Sequence, residues 1–391
     1  MRTIKAGVIP ILFGCLCLSC IEPYDLEEHS NITSRIVVEA WINDLDTLQE
    51  VVLSKTSSPE KPSKIPLTGC SVIVNDLNDN EFIFNELAES PGTYQGKIDS
   101  SCMKVGNRFR LNFTLPTNEQ YVSTYEELIA CPPVDSVYYE ITTLPTIDPD
   151  LNLDGLQLYM DFKASENFGK YYRLQIDETW EYHASWPISL YYAGRVYSIA
   201  DDYSLFYCYR TMPVDQIFIL TTDGFAENRY KGYQLHFVDN LTQKLMHKYS
   251  LLIKQYSISK DAYYFWMNLR KNNQESGGLF DSQPAMVKGN IINIKNPDEI
   301  VLGYFGVSSV KTKRIILSGI EGLSFDNDPY CTPTPVILGM VNWPPEEWPV
   351  YLVIFLDPAT GTNQISVANK ECFDCTLLGG TTEKPLYWDE K

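Results

Sequence analysis

The strongest constraint on this chain is a pattern that keeps returning. Short runs of β-branched and aromatic residues alternate with polar ones at a period of two, and Gly, Pro, Asn or Asp closes each run. Successive side chains on a strand point to opposite faces, so this period fits a half-buried strand and no helix. Arg35-Ile-Val-Val-Glu-Ala-Trp-Ile42, Glu50-Val-Val-Leu-Ser-Lys-Thr56 and Gly69-Cys-Ser-Val-Ile-Val-Asn75 are three such runs. Glu81-Phe-Ile-Phe-Asn85, Thr93-Tyr-Gln-Gly-Lys-Ile98 and Asn107-Arg-Phe-Arg-Leu-Asn-Phe113 are three more. Three prolines mark Ser57 to Pro66 as a loop, and Asp76-Leu-Asn-Asp-Asn80 and Ser90-Pro-Gly92 read as turns. The spacing predicts a β-sandwich over residues 35–118.

Cys131-Pro-Pro133 breaks the pattern, and a larger β-rich domain is expected over residues 134–391. Its strand signals include Leu156–Lys163, Tyr171–Ile176, Tyr249–Ser257, Ile300–Val307 and Arg314–Leu317. Pro349-Val-Tyr-Leu-Val-Ile-Phe-Leu356 is the most apolar run and reads as a central strand. One segment differs. Ser259 stands as an N-cap before Lys260–Lys271, Asp261 sits in the first turn, and Tyr263, Trp266, Met267 and Arg270 recur at helical spacing. One amphipathic helix is expected there. The fold class is therefore mainly β, in two units, with aromatic residues at 13 % suiting a pleated surface.

Residues 1–19 read as a lipoprotein signal peptide. Arg2 and Lys5 precede a 14-residue apolar run, Ala6–Ser19, too short to span a bilayer. Ser19 before Cys20 resembles a bacterial lipobox, in which the Cys after the cut is lipidated; Leu12-Phe-Gly-Cys15 also fits the pattern. Cys20 is preferred because Ile21-Glu-Pro-Tyr-Asp25 then opens a polar tether, residues 20–34. The net charge of −19 argues against nucleic acid as a partner and against adhesion to anionic lipid, so the anchor itself must hold the body to the membrane.

Beyond Cys15, Cys17 and Cys20 there are seven cysteines, an odd number. Disulfides are the default for an exported chain. A Cys70–Cys102 bridge is expected in the first unit. Cys208, Cys331, Cys372 and Cys375 can form two bridges in the second, with three pairings open. Cys372-Phe-Asp-Cys375 lacks the second ligand pair of a zinc site and the strand–helix setting of a redox motif. The four histidines, His29, His183, His236 and His247, have no metal-like spacing. No phosphate loop, Gly-x-Ser-x-Gly or His-Glu-x-x-His occurs, so no catalytic residue, metal or cofactor is assigned. Asp148–Gly155 has part of a calcium-loop pattern, but Tyr159 stands where its last acid belongs. Two aromatic clusters are candidates for an interface or a ligand site: Trp180, Trp186, Tyr191 and Tyr192 in one, Trp343 and Trp348 in the other.

Two resemblances add to this. Leu67-Thr-Gly-Cys-Ser-Val-Ile-Val74, the Asp/Asn turn and Pro91-Gly-Thr-Tyr94 resemble carboxypeptidase regulatory-like domains, immunoglobulin-like sandwiches with no catalytic residues to carry over. The second resemblance rests on an ordered set running nearly the whole chain. It comprises Leu18-Ser-Cys-Ile-Glu-Pro-Tyr-Asp25, Ile36-Val-Val-Glu39, Pro132-Pro-Val-Asp-Ser-Val-Tyr-Tyr139 and Phe280-Asp-Ser-Gln-Pro-Ala-Met-Val-Lys-Gly-Asn290, then Leu302-Gly-Tyr-Phe305 and Cys372 through Trp388. This set resembles the domain of unknown function 4249 family of Bacteroidota lipoproteins. The resemblance implies an outer-membrane lipoprotein, on the outward face, serving as accessory binding or scaffold subunit of a TonB-dependent transporter. A surface hydrolase of glycan or peptide and a structural adhesion module are the alternatives.

Overall fold

The computed structural model describes residues 34–58, 62–148, 152–274, 286–325, 331–337, 343–357 and 361–389. The signal peptide, Cys15, Cys20, nearly all of the tether and residues 149–151 of the acidic turn lie outside them.

The first unit contains β1 (Ile36–Asn43), β2 (Gln49–Lys55), β3 (Ile65–Pro66), β4 (Ser71–Asp76), β5 (Glu81–Leu87), β6 (Ser90–Gly96), β7 (Arg108–Thr114), β8 (Gln120–Ser123) and β9 (Glu126–Glu127). The period-two pattern is what puts one face inside. Val38, Ala40 and Ile42 of β1, Val72 and Val74 of β4, and Phe109, Leu111 and Phe113 of β7 point into a single apolar core. Each of these side chains larger than alanine stabilises the unit by about 1.5–3 kcal/mol on burial.

The rest of the chain contributes β10 (Ser136–Pro145), β11 (Asn152–Lys163), β12 (Tyr171–His183), β13 (Ile188–Tyr192), β14 (Val196–Asp202), β15 (Tyr207–Pro213), β16 (Phe218–Thr221), β17 (Arg229–Asp239) and β18 (Lys248–Ser257). Then come α1 (Lys260–Gln274), β19 (Ile291–Asn293), β20 (Leu302–Ser318), β21 (Thr334–Pro335), β22 (Val350–Asp357) and β23 (Thr362–Val367). A three-stranded sheet, β10-β11-β17, faces β12, β15, β16 and β18 across a second core. Leu156, Leu158, Met160 and Phe162 of β11 meet Tyr172, Leu174 and Ile176 of β12 there. A third sheet runs β14-β13-β22-β23-β21, which makes β22 its middle strand, as its apolar run requires.

The division at residues 118 and 134 is not kept in space. β19 pairs with β8, and Leu302–Ser308 of β20 pairs in parallel with β1. The other half of β20, Ser309–Ser318, pairs antiparallel with β18. One strand thus belongs to both units. A parallel partner must return after a long crossover, and local periodicity carries no trace of where it docks. The junction has its own requirement. Gly303 has φ +88°, and a Cβ there would stand 1.9 Å from the Val38 carbonyl oxygen. A Cβ at Gly306 would enter the Trp41 ring. Only glycine lets β20 approach β1 this closely.

The helix starts where the sequence places its cap: the Ala262 amide donates to Ser259 Oγ at 3.1 Å. It lies across the junction, with Trp266 5.3 Å from Trp41 and Phe265 4.9 Å from Tyr304, ring centre to ring centre. None of the described helices is long and apolar enough to cross a membrane.

The cysteines correct one expectation. Cys208 bonds Cys375 and Cys331 bonds Cys372, so the two halves of the Cys-x-x-Cys are stitched to different segments. Cys70 and Cys102, expected to form a bridge, are free thiols. Their places on the sandwich explain this. Cys70 precedes Ser71, at the start of β4. Cys102 lies at the other end of that strand, where its carbonyl accepts from Asn107 beside Asp76. The length of β4, about 17–20 Å at about 3.4 Å per residue, separates them, and a disulfide needs Cα atoms within about 7 Å. Cys131 is the third free thiol, buried, with Sγ 3.2 Å from the Gln255 carbonyl oxygen; burial pushes it up to about 12.

Candidate functional site

The six aromatic candidates do not converge on one surface. Trp180 is 7 % exposed and belongs to the second core, with Lys244 Nζ 5.2 Å and the Arg210 guanidinium 5.7 Å from its ring. It points inward because β12 alternates and Trp180 is in phase with Leu174 and Ile176. It is therefore not a docking residue. Tyr192 packs 5.0 Å from Trp343 and 6.0 Å from Trp348, and these rings cover Leu190, Val350 and Leu352 as a small core of the third sheet. Tyr191 stacks on Tyr197 of the neighbouring strand at 5.1 Å. Trp186 lines a pocket.

That pocket, about 480 Å³, lies at the end of β12 where the second sandwich meets the third sheet. Trp186, His183, His247, Phe206, Gln243 and Met246 line it. Three titratable groups meet beside it. His183 Nε2 is 2.8 Å from Glu181 Oε1, and the other Glu181 oxygen accepts from Trp388 Nε1 at 2.7 Å. The His183 and His247 rings stack with centres 3.6 Å apart. The hydrogen bond from His183 holds the Glu181 carboxyl below its ordinary range, against the opposing effect of burial. Burial, and then the neighbouring His183, lower His247. A carboxylate that fixes one imidazole while a second stays neutral can orient a proton acceptor toward a polar ligand.

A second polar cluster lies deeper. Glu178, 2 % exposed, accepts from His236 Nε2 at 2.9 Å and Tyr249 Oη at 2.8 Å on one oxygen, and from Lys244 Nζ at 2.5 Å on the other. Burial raises a carboxyl, but the His236 and Lys244 hydrogen bonds and charges outweigh it and bring Glu178 down to about 2. Sequence reading missed this residue. The signal was its phase: Glu178 occupies the same strand face as Leu174, Ile176, Trp180 and Tyr182, where an apolar side chain is the rule.

The third sheet shows a different feature. β22 pairs with β13 only through Val350–Leu352 but with β23 as far as Asp357. Beyond Leu352 one edge of β22 therefore has no strand partner among the described residues. Ile354, Phe355 and Leu356 on this stretch are 58 %, 37 % and 58 % exposed. Three consecutive exposed apolar residues on an open strand edge make a ready surface for another chain.

No curated protein matches the sequence. Among solved structures, the chain is similar to a DUF4785 family protein from Legionella pneumophila subsp. pneumophila str. Philadelphia 1, at 8 % identity and a TM-score of 0.19. That likeness covers 56 % of this chain and 51 % of that one, so the chain spans about half the length of the structure it matches. Likeness at this level carries no functional information. The family comparison reaches much further, from the tether through the junction strand. A family model described as Domain of unknown function (DUF4249) matches residues 21–314, and the chain belongs to that family.

Proposed function

We propose that this protein is an outer-membrane lipoprotein, anchored through Cys20 on the outward face, that binds a TonB-dependent transporter as an accessory or scaffold subunit. The observation that carries this reading is the stretch Ile354-Phe-Leu356, exposed and, among the described residues, unpaired on one edge. A strand edge of this kind gains backbone hydrogen bonds and apolar burial when a partner chain covers it. The leader and the acidic tether support attachment to a membrane by lipid, and the transporter is the partner that the family resemblance implies. Mild-detergent purification of the lipidated protein from its native membrane tests the proposal. Stoichiometric recovery of a TonB-dependent barrel is the expected result, lost in the Ile354→Glu/Leu356→Glu variant. Recovery of the lipoprotein alone refutes the partnership.

A second reading, a surface hydrolase of glycan or peptide, has the Glu181–His183 pair beside the 480 Å³ pocket in its favour. It requires turnover of a glycan or peptide mixture that His183→Ala abolishes while leaving the unfolding midpoint in place. An unchanged rate in that variant removes this reading.

A further inference from the structure

The second sandwich leaves one side open. β10 pairs with β11 and with no other strand among the described residues, so its outer edge is free. The facing sheet also ends there. β1 stops at Asn43, and the Asp44 carboxylate closes the end by accepting from Ser309 Oγ at 2.7 Å and the Val310 amide at 2.8 Å. Past that point the Thr312–Ser318 stretch of β20 has β18 on one side and, among the described residues, no strand on the other. A groove of about 760 Å³ runs between these two free edges. Tyr138 and Tyr139 wall it from β10, Ile315 and Leu317 from β20.

The charge of this edge is opposite to that of the molecule. The chain carries a net −19, yet β20 reads Lys311-Thr-Lys-Arg314 along this stretch. Among the described residues, neither Lys311 nor Lys313 has a carboxylate within ion-pair distance. The Arg314 guanidinium lies 3.5 Å from the centre of the Tyr387 ring and bonds Ser250 Oγ, with no carboxylate on it among the described residues. Asp389, the one acid lining the groove, is taken by Lys384 at 2.7 Å. Edge lysines repel a second copy of the same edge, which bars self-pairing. They attract a strand of opposite charge.

We propose that the Thr312–Ser318 edge of β20 receives an extended acidic segment of another protein as an added strand. Backbone groups of the edge supply the hydrogen bonds; guest side chains on the groove face meet Tyr138 and Leu317 at one end and Lys313 and Lys311, which share that face, at the other, and those on the opposite face meet Arg314. This surface is separate from Ile354–Leu356 and does not depend on the transporter partnership.

The test uses the full mature chain and two blocked peptides of about eight residues. One alternates glutamate with valine, the other lysine with valine. Peptide binding is read by fluorescence anisotropy, and the place of binding by amide hydrogen exchange. The acidic peptide is expected to bind, to protect amides within Thr312–Ser318, and to weaken in high salt. The K311E/K313E variant, which changes the exposed Lys311 and the half-buried Lys313, should bind it about tenfold more weakly, the loss of two ion pairs. An unchanged unfolding midpoint in that variant certifies its fold, and K313Q supplies a milder step in the same direction. Equal binding of the two peptides, no binding of the acidic one, or protection confined to other strands overturns the proposal.

Discussion

Asp76 in the first sandwich and Glu178 in the second are both buried, hydrogen-bonded carboxylates, and the two are held in opposite ways. Asp76 of the first unit is fully buried and sits in its own turn. It accepts from the Asn78 and Asn80 amides at 2.8 and 3.0 Å, from the Asn80 side chain at 2.9 Å, and more distantly from Asn107. Apart from Asn107, its donors come from the next four residues. Glu178 of the second unit draws its donors from positions 58 to 71 residues away, on β17, on the segment before β18 and on β18 itself. Asp76 shapes a hairpin. Glu178 ties one sheet to the other, and two of its partners carry or can carry charge. The comparison teaches that a buried carboxylate can be satisfied by its own turn, as at Asp76, or by a long-range ionic knot, as at Glu178.

Removing each carboxylate should expose that difference most strongly. Glu178→Ala leaves Lys244 beside Trp180 without its anion and Tyr249 Oη, 0 % exposed at the residue level, without an acceptor. A loss of about 3–5 kcal/mol is expected in urea unfolding. Asp76→Ala should cost about 1–3 kcal/mol, because its donors are turn amides close to water. Equal losses would break the comparison. Opening the Cys208–Cys375 bridge by substituting both cysteines with serine should cost about 2–5 kcal/mol in the second unit. Alkylation of the folded protein should meanwhile modify the half-buried Cys70 and Cys102 faster than the buried Cys131, with Cys70 slowed because burial raises its thiol. A Cys70–Cys102 disulfide in the mass spectrum would contradict the separation set by β4.

Acid sharpens the same contrast. Glu178 titrates at about 2 in the folded chain against an ordinary 4.5. A depressed carboxyl contributes its stability above the unfolded value and loses it as pH falls through the folded one. About 3 kcal/mol should therefore disappear between pH 4.5 and 2, and Glu178→Gln should flatten that part of the curve. Asp76 is lowered too, so the Asp76→Asn variant should flatten the curve in the same direction.

How much of this could be read beforehand follows from the reach of each interaction. Strands β1, β2 and β4–β7, the Ser259 cap and the turn at Asp76 were legible because each depends on neighbours in sequence, whereas β3 lies in the Pro-rich stretch expected to be a loop and the short β8 and β9 carried no signal. The middle position of β22 was legible from its apolar run, but the open edge at Ile354–Leu356 depends on where β13 stops pairing. The Glu178 partners, the double allegiance of β20 and the pairing of Cys372 and Cys375 with different segments all depend on contacts that close only after folding. The aromatic clusters misled for a related reason. Trp180 and Trp186 lie six positions apart in one sequence cluster, yet one lines the core and the other a pocket, because the strand ends between them at His183.

The smallest expected effect concerns the stacked histidines. His247 sits below its ordinary 6.5 because burial and His183 both oppose its protonation, while Glu181 only partly offsets them. A histidine lowered on folding contributes stability that is complete above 6.5 and declines as pH falls through the folded value. Between neutral pH and about pH 5 the native protein should therefore lose a little stability through this residue. His247→Phe keeps a flat ring against His183 and removes the titration. Its unfolding midpoint should change less than that of the native protein over this interval, while the loss at lower pH, which belongs to Glu178, stays in place. If the His247→Phe curve instead follows the native one throughout, the stacked pair does not set the pH response, and the ionic knot at Glu178 becomes the dominant acid-sensitive element of the second unit.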